Sequence, residues 1–244
     1  MGEIKVQDKA IAVPGEELAT GMDYLPSFGT YRDGESIVAG KLGLVNIDGK
    51  VIKLIPLKGR YIPKRNDVII GRVTDVLMSG WRADIDSAYE GMLPLRDATT
   101  DFIQKGADLT RWFAIDDYIM AKIVNVTSQK LVDLSMKGPG LRKLRGGRII
   151  KVNTHKVPRV IGKAGSMVSM VKNATNTRIL VGQNGLIWIQ SDDMKNELIA
   201  VDAIKKIERE SHISGLTDKI KAFLEEKTGT KVEATPQNTY GEQK

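Results

Sequence analysis

The stretch Val157-Pro-Arg-Val-Ile-Gly-Lys-Ala-Gly-Ser-Met-Val168 sets Gly162 and Gly165 three residues apart in an apolar run, with Lys163 and Ala164 between them. An apolar helical pattern follows at once, because Met167, Val168, Met170 and Val171 fall on one stripe at helical spacing. Glycine adopts backbone angles that a side chain forbids, and it lets a partner's backbone come close. A loop that opens a helix presents unpaired N–H groups and the positive end of the helix dipole. Such a mouth suits a phosphate, and Lys163 adds a mobile positive charge. Two nucleotide-binding patterns fail on spacing. The dinucleotide fingerprint needs a third glycine, and the P-loop needs a Gly-Lys-Ser/Thr preceded by a further glycine.

Outward from this loop, "RIIKVN" (148–153) reads as a strand, "HKVPRVI" (155–161) as a short helix and "SMVSMVKNAT" (166–175) as a helix. "TRILVG" (177–182) and "LIWIQ" (186–190) are strands joined by the hairpin turn "GQNG". A long helix opens at Ser191-Asp192-Asp193, with Leu198, Val201, Ala203, Ile204 and Ile207 as its buried face. "LTDKIKAFLEE" (216–226) supplies a further helix, and the polar residues 227–244 read as a loose tail. This order suits a KH module over 146–226, whose GxxG loop clamps a single-stranded backbone of about four nucleotides.

Residues 67–137 hold five strand candidates, "DVIIGRVTDVLM", "GWRADI", "YEGMLPL", "DYIMAKIVNV" and "KLVDLSM", with an insert between the third and fourth. That is the pattern of a five-stranded OB-type barrel. "KGPG" (137–140) then breaks the chain, and "LRKLRGG" (141–147) reads as a basic linker. The first 66 residues read as a small β domain. Its clearest element is the Asp48-Gly49 hairpin in "LVNIDGKVIKLIP", while "PGEEL" and "GMDYLPSFGTYRDGES" read as turn or loop. The fold class is therefore multidomain, mixed β and α+β.

Charge is segregated along the 244 residues. The formal net charge is +7, yet residues 134–191 hold eleven Lys/Arg and no Asp or Glu, while residues 67–133 are net acidic. One segment thus carries more than the whole surplus, the footprint of a polyanion partner. Cysteine is absent, which removes disulfide scaffolds and thiolate metal sites. No apolar run approaches the roughly 18 residues that span a membrane, and the N-terminus "MGEIKVQDKA" lacks the apolar core of a secretory signal. A cytoplasmic protein is expected.

With "VPGEEL" and "SFGTY" in the first domain, an OB barrel next and "VIGKAGSMV" in the third, the chain resembles the RNA-binding cap-subunit family of the archaeal exosome over residues 10–225. The resemblance implies an N-terminal domain that docks on a ring, a central S-one-type OB domain around a pore, and a KH domain outside. It implies three copies, a trimeric cap, on a hexameric ring of two RNase-PH-like subunits. The ring performs the phosphorolysis; the cap recruits single-stranded RNA, adenine-rich tails favoured. No cofactor, metal or membrane partner is implied, and the chain is not itself an enzyme.

The OB segment departs from the usual pattern of such domains. "GWRADI" places Arg82 where an exposed aromatic is expected, and "EGMLPL" places Pro94 near a usual histidine. RNA capture is therefore assigned mainly to Gly162, Lys163, Ala164, Gly165, Arg159, Lys172, Arg148 and Arg145. Arg72, Arg82 and Lys122 on the barrel guide the strand, and Trp81 either packs at a subunit interface or stacks on a base. Trp112 and Trp188 are read as core. His155 and His212 stand far apart without companions. The competing readings are a free-standing RNA-binding or chaperone factor linked to translation, and a metal-dependent nuclease using Asp84 and Asp86 on one face of a strand.

Overall fold

The computed structural model describes residues 2–229 apart from 58, 102, 105, 212 and 214. They form two units, Met1–Gly59 and Arg60–Lys244. Of the tail expected over 227–244, Lys227 and Thr228 instead end a helix, and the part beyond Gly229, like the solitary His212, lies outside the described residues.

The first unit holds strands β1 (Glu3–Ile4), β2 (Ile11–Ala12), β3 (Glu17–Thr20), β4 (Leu25–Pro26), β5 (Thr30–Asp33), β6 (Ser36–Ala39), β7 (Gly43–Asp48) and β8 (Val51–Pro56). They build two sheets, β1-β3-β6-β5 and β2-β7-β8-β4. The β7–β8 hairpin turns at Gly49, whose φ is +59°, as the Asp48-Gly49 pair predicts. The turn-rich segments contain more strand than their composition suggests. β3, β4 and β5 are two to four residues long and sit between the glycines and prolines that mark the turns. Leu18, Ile37, Val45, Ile52 and Leu54 fill the space within this unit.

In the second unit, β9 (Val68–Leu77), β10 (Gly80–Asp84), β11 (Glu90–Pro94), β12 (Tyr118–Val126) and β13 (Val132–Ser135) close a barrel in the order β9-β10-β11-β13-β12, with β12 returning to β9. The β11–β13 closure is parallel and the other pairings are antiparallel. This is the five-stranded OB-type barrel read from the sequence. Among the described residues the insert carries one α-helical turn, α1 (Leu95–Ala98), and a 3-10 turn at Leu109–Arg111. Ile69, Val73, Ile119, Ala121 and Ile123 fill the barrel. Ile70 and Met120 point the other way, yet they are also buried. A strand buried on both faces reads as a continuous apolar run rather than an alternation, which is why "VIIG" and "YIMA" look as they do.

The cover for that outer face comes from the third segment. β15 (Arg148–Lys151), β16 (Arg178–Val181) and β17 (Leu186–Gln190) form a sheet in the order β15-β17-β16. Its Ile179, Val181, Ile187 and Ile189 face α2 (Val157–Ile161), α3 (Ser166–Thr175), α4 (Met194–Glu210) and α5 (Leu216–Thr228). Its Trp188, with Ile149, Leu180 and Leu186, packs on Ile70 and Met120 of the barrel. The basic linker is a correction. Arg142–Leu144 is strand β14, paired to β12, because Leu144 is buried in the same cluster. Asp193 caps α4 by accepting from the Lys195 N–H at 2.9 Å. Leu198 is also a correction: it is 46% exposed, and Ala200 takes its place on the buried face.

The joint between barrel and sheet rests on the "GQNG" turn. Asn184 is fully buried. Its Nδ2 donates to the carbonyls of Ile70 (2.7 Å) and Ile85 (2.9 Å), and its Oδ1 accepts from the Ile70 N–H (3.3 Å). The Gln183 N–H donates to the Val68 carbonyl at 2.8 Å. One amide side chain thus satisfies three backbone groups of another domain, so a turn residue became a structural pin.

Candidate nucleic-acid interface

The Gly-Lys-Ala-Gly bend lies at the surface. Lys163 and Ala164 are exposed, Gly162 is partly covered, and only Gly165 is buried beneath them. Gly162 ends α2 with φ +76°, and a Cβ there would come within 2.7 Å of Met167 backbone and side-chain atoms. Gly165 holds the left-handed conformation (φ +77°, ψ 7°) at the mouth of α3, which has no side-chain cap. A side chain at either site would be strained, and α3 opens without a side-chain cap, out of a 3-10 turn over Lys163–Gly165 in which the Ser166 N–H donates to the Lys163 carbonyl.

Facing the bend is the first turn of α5. Between them runs a groove of about 590 Å³ lined by Arg159, Gly162, Lys163 and Met167 on one side and by Gly215, Thr217 and the carboxylate of Asp218 on the other. The α5 wall was not legible in the sequence, because nothing in the spacing says which helix packs beside the loop.

The remaining candidates divide by what touches them. Arg159, Lys163, Lys172 and Arg145 make no ion pair among the described residues, and neither does Lys122 on the barrel. Lys172 is half-buried, and burial lowers its pKa from the usual lysine value. It sits six residues beyond Ser166, about 9 Å along α3 from the bend. Arg148 pairs with Glu197 at 2.8 Å, Arg82 with Glu90 at 3.3 Å and Arg72 with Asp116 at 3.3 Å. Lys151 and Lys143 from the acid-free segment also pair, with Asp86 at 2.6 Å and with Asp117. Carboxylates from elsewhere in the chain thus neutralise part of the basic segment. The Arg72–Asp116 and Arg82–Glu90 pairs are exposed and worth about 0–1 kcal/mol, so a phosphate displaces them at little cost. Lys163 and Arg159, without an ion pair among the described residues, carry the stronger claim.

Trp81 is a correction. It is fully buried, lies edge-on to Phe113 with ring centroids 5.1 Å apart, and donates its Nε1–H to the Phe113 carbonyl at 2.9 Å. It has no free face for a base or for another subunit. The signal was present, since Trp81, Ala83 and Ile85 alternate with Arg82 and Asp84, and the apolar set faces inward. Trp81→Phe is expected to leave single-stranded RNA affinity unchanged and to cost about 1–3 kcal/mol of stability by orphaning the Phe113 carbonyl. Anisotropy and thermal melting together check this. Trp112 packs against the barrel core, and Trp188 is core as expected. Asp84 and Asp86 do not share a strand face, for β10 ends at Asp84 and Asp86 adopts φ +55°. Asp84 accepts from the Asp86 N–H, and Asp86 is held by Lys151.

Comparison with known proteins agrees with this layout. Residues 60–125 match the family model described as "RRP4, S1 domain", and residues 147–195 match a KH domain. The exosome complex component Rrp4 of Pyrococcus furiosus is 45% identical over 92% of this chain and 86% of its own length. That of Methanothermobacter thermautotrophicus is 42% identical over 98% and 75%. The crystal structure of a candidate exosome complex RNA-binding protein, 35% identical, superposes with a TM-score of 0.63 over 69% of this chain and 97% of that one. With a relative this similar along nearly its whole length, the chain belongs to the exosome component Rrp4 family.

Proposed function

We propose that the chain is a non-catalytic RNA-binding subunit of an exosome, one that takes hold of single-stranded RNA and delivers it to other chains for degradation from the 3′ end. The exposed Gly-Lys-Ala-Gly bend carries this reading: its Lys163 and the neighbouring Arg159 hold no ion pair among the described residues, and α3 starts there without a side-chain cap. Gly162, Ala164 and Gly165 let the strand's backbone approach, and Arg145 and Lys172 extend the positive surface. In the finer form of the proposal, three copies cap a hexameric ring of two RNase-PH-like kinds in the cytoplasm, with adenine-rich tails preferred. Lys122, Arg72 and Arg82 guide the strand along the barrel.

Purified chain is expected to bind single-stranded RNA without degrading it, and to stimulate degradation only when such ring subunits are added. RNA breakdown by the chain alone, with phosphate or a divalent metal, would remove the adaptor role. Recovery from native extract with ribosomes, and without nuclease subunits, would favour a translation factor instead.

Docking has a visible candidate in the first unit. On the outer face of β2-β7-β8-β4, Ile11 pairs with Leu44 and Leu44 with Ile55 in one cross-strand row. Ile11 is 62% and Ile55 51% exposed. This exposed apolar row supports reading the face as the docking surface. The double change Ile11→Asp with Ile55→Asp is expected to release the subunit from the assembly while RNA affinity of the free chain is unaltered. Native mass spectrometry of the complex and anisotropy on the free chain read the two halves of that expectation.

A further inference from the structure

A second cationic feature lies where the third segment's sheet meets the barrel. Strand β14 places Arg142 opposite Met120 and sets its guanidinium carbon 5.9 Å from the centroid of the Trp188 ring. Trp188 is itself held, its Nε1–H donating to the Gly146 carbonyl at 2.8 Å. Two residues along β17, about 7 Å away, Gln190 stands beside Gly146 on one side and is the register partner of Arg178 on the other. Arg178 shares the face of Leu180, the face toward the barrel. Arg142, Arg145, Gln190 and Arg178 therefore follow one another across this edge of the molecule.

The charges here are sorted. Arg72, Lys143 and Arg148 each hold a carboxylate. Arg142, Arg145 and Arg178 are exposed and have no ion pair among the described residues. Guanidinium is planar, weakly hydrated and able to stack. Exposed and 5.9 Å over the Trp188 ring, the Arg142 guanidinium is open to a flat partner from the solvent side. An acidic peptide would use the charges but not the plane. A nucleic-acid strand uses both, through its phosphates and its bases.

We propose that Arg142, Arg145 and Arg178, with Gln190 between them, form a second contact site for single-stranded RNA, separate from the Gly-Lys-Ala-Gly bend. Arg145 and Arg178 hold phosphates, and Arg142, backed by Trp188, carries a stacked base. This site supplies at the barrel's margin the platform that the buried Trp81 does not. The inference rests on RNA being the ligand of the chain, but not on the bend being its clamp.

The test is fluorescence anisotropy of the full chain with a labelled single-stranded oligoadenylate RNA across a range of salt. Arg142→Ala and Arg142→Lys are both expected to weaken binding about tenfold, since lysine keeps the charge but not the plane. Arg145→Ala with Arg178→Ala is expected to weaken it and to reduce the salt slope by about 0.7 for each phosphate that is no longer neutralised. Unchanged melting temperatures confirm that each variant is folded. Parent-like affinity in Arg142→Lys overturns the stacking role, and parent-like affinity and slope in the double variant overturn the phosphate role. Gly165→Asp, measured alongside, separates the two sites. Weakened binding there alone leaves the bend as the sole clamp and ends this proposal, whereas weakened binding in the arginine variants alone ends the reading of the bend.

Discussion

Gly165→Asp is expected to lower affinity for single-stranded RNA at least tenfold while the chain stays folded. The residue sits at the mouth of α3, below the exposed Lys163 and Ala164. A carboxylate beneath the bend and a phosphate on it would both face the positive end of α3, so the two negative charges repel and compete. The same carboxylate is favourable to the folded chain, because the helix N-terminus attracts negative charge by about 0.3–1 kcal/mol. This offsets part of the strain of a side chain at φ +77°. Gly165→Asn is the control, for it has the same shape without the charge and tolerates the left-handed region well. Its loss of affinity should be a small fraction of that seen with aspartate. Equal affinity of the aspartate variant and the parent would show that no phosphate is held at the bend.

The second large effect is on stability. Asn184→Ala removes one donor group and one acceptor that together satisfy the Ile70 N–H and the Ile70 and Ile85 carbonyls. Each buried backbone group left without a partner costs about 1–3 kcal/mol. A total of about 3–5 kcal/mol, among the larger single-residue effects in proteins, is expected in denaturant unfolding. Barrel and sheet should also lose their common transition, because the pin between them is gone. Trp188 fluorescence is the suitable probe, as that ring lies in the joint itself. Asn184→Asp tests the donor half of the argument, since a carboxylate cannot donate to either carbonyl and should be worse than alanine. An unchanged midpoint in both variants would mean that the apolar cluster alone holds the joint.

These two sites differ in how far they could be read before the fold was known. The bend was legible because its signals are local: two glycines, a lysine and a 3.6-residue apolar stripe lie within a dozen residues. Asn184 was legible only as part of a hairpin turn. Its partners Ile70 and Ile85 are about a hundred residues away, and no local pattern encodes a contact at that separation. The "LRKLRGG" segment was misread for the same reason. Three residues of strand are too short to show a period, and their pairing with β12 is decided by the burial of Leu144 against Trp188.

By itself the sequence determined the element order, the barrel followed by strand–helix–bend–helix–strand–strand–helix, the hairpin at Asp48-Gly49 and the start of α4. Periodicity, glycine tolerance and capping act over a few residues, so the chain states them openly. Only the tertiary structure decided which charges remain free. The acid-free segment looked uniformly available, yet Lys143, Arg148 and Lys151 are each met by a carboxylate from another part of the chain. It also decided that Trp81 is sealed inside while Trp188 lends its ring to an arginine. Availability for a ligand depends on what folding brings against a side chain, and that is a property of distant residues meeting in space.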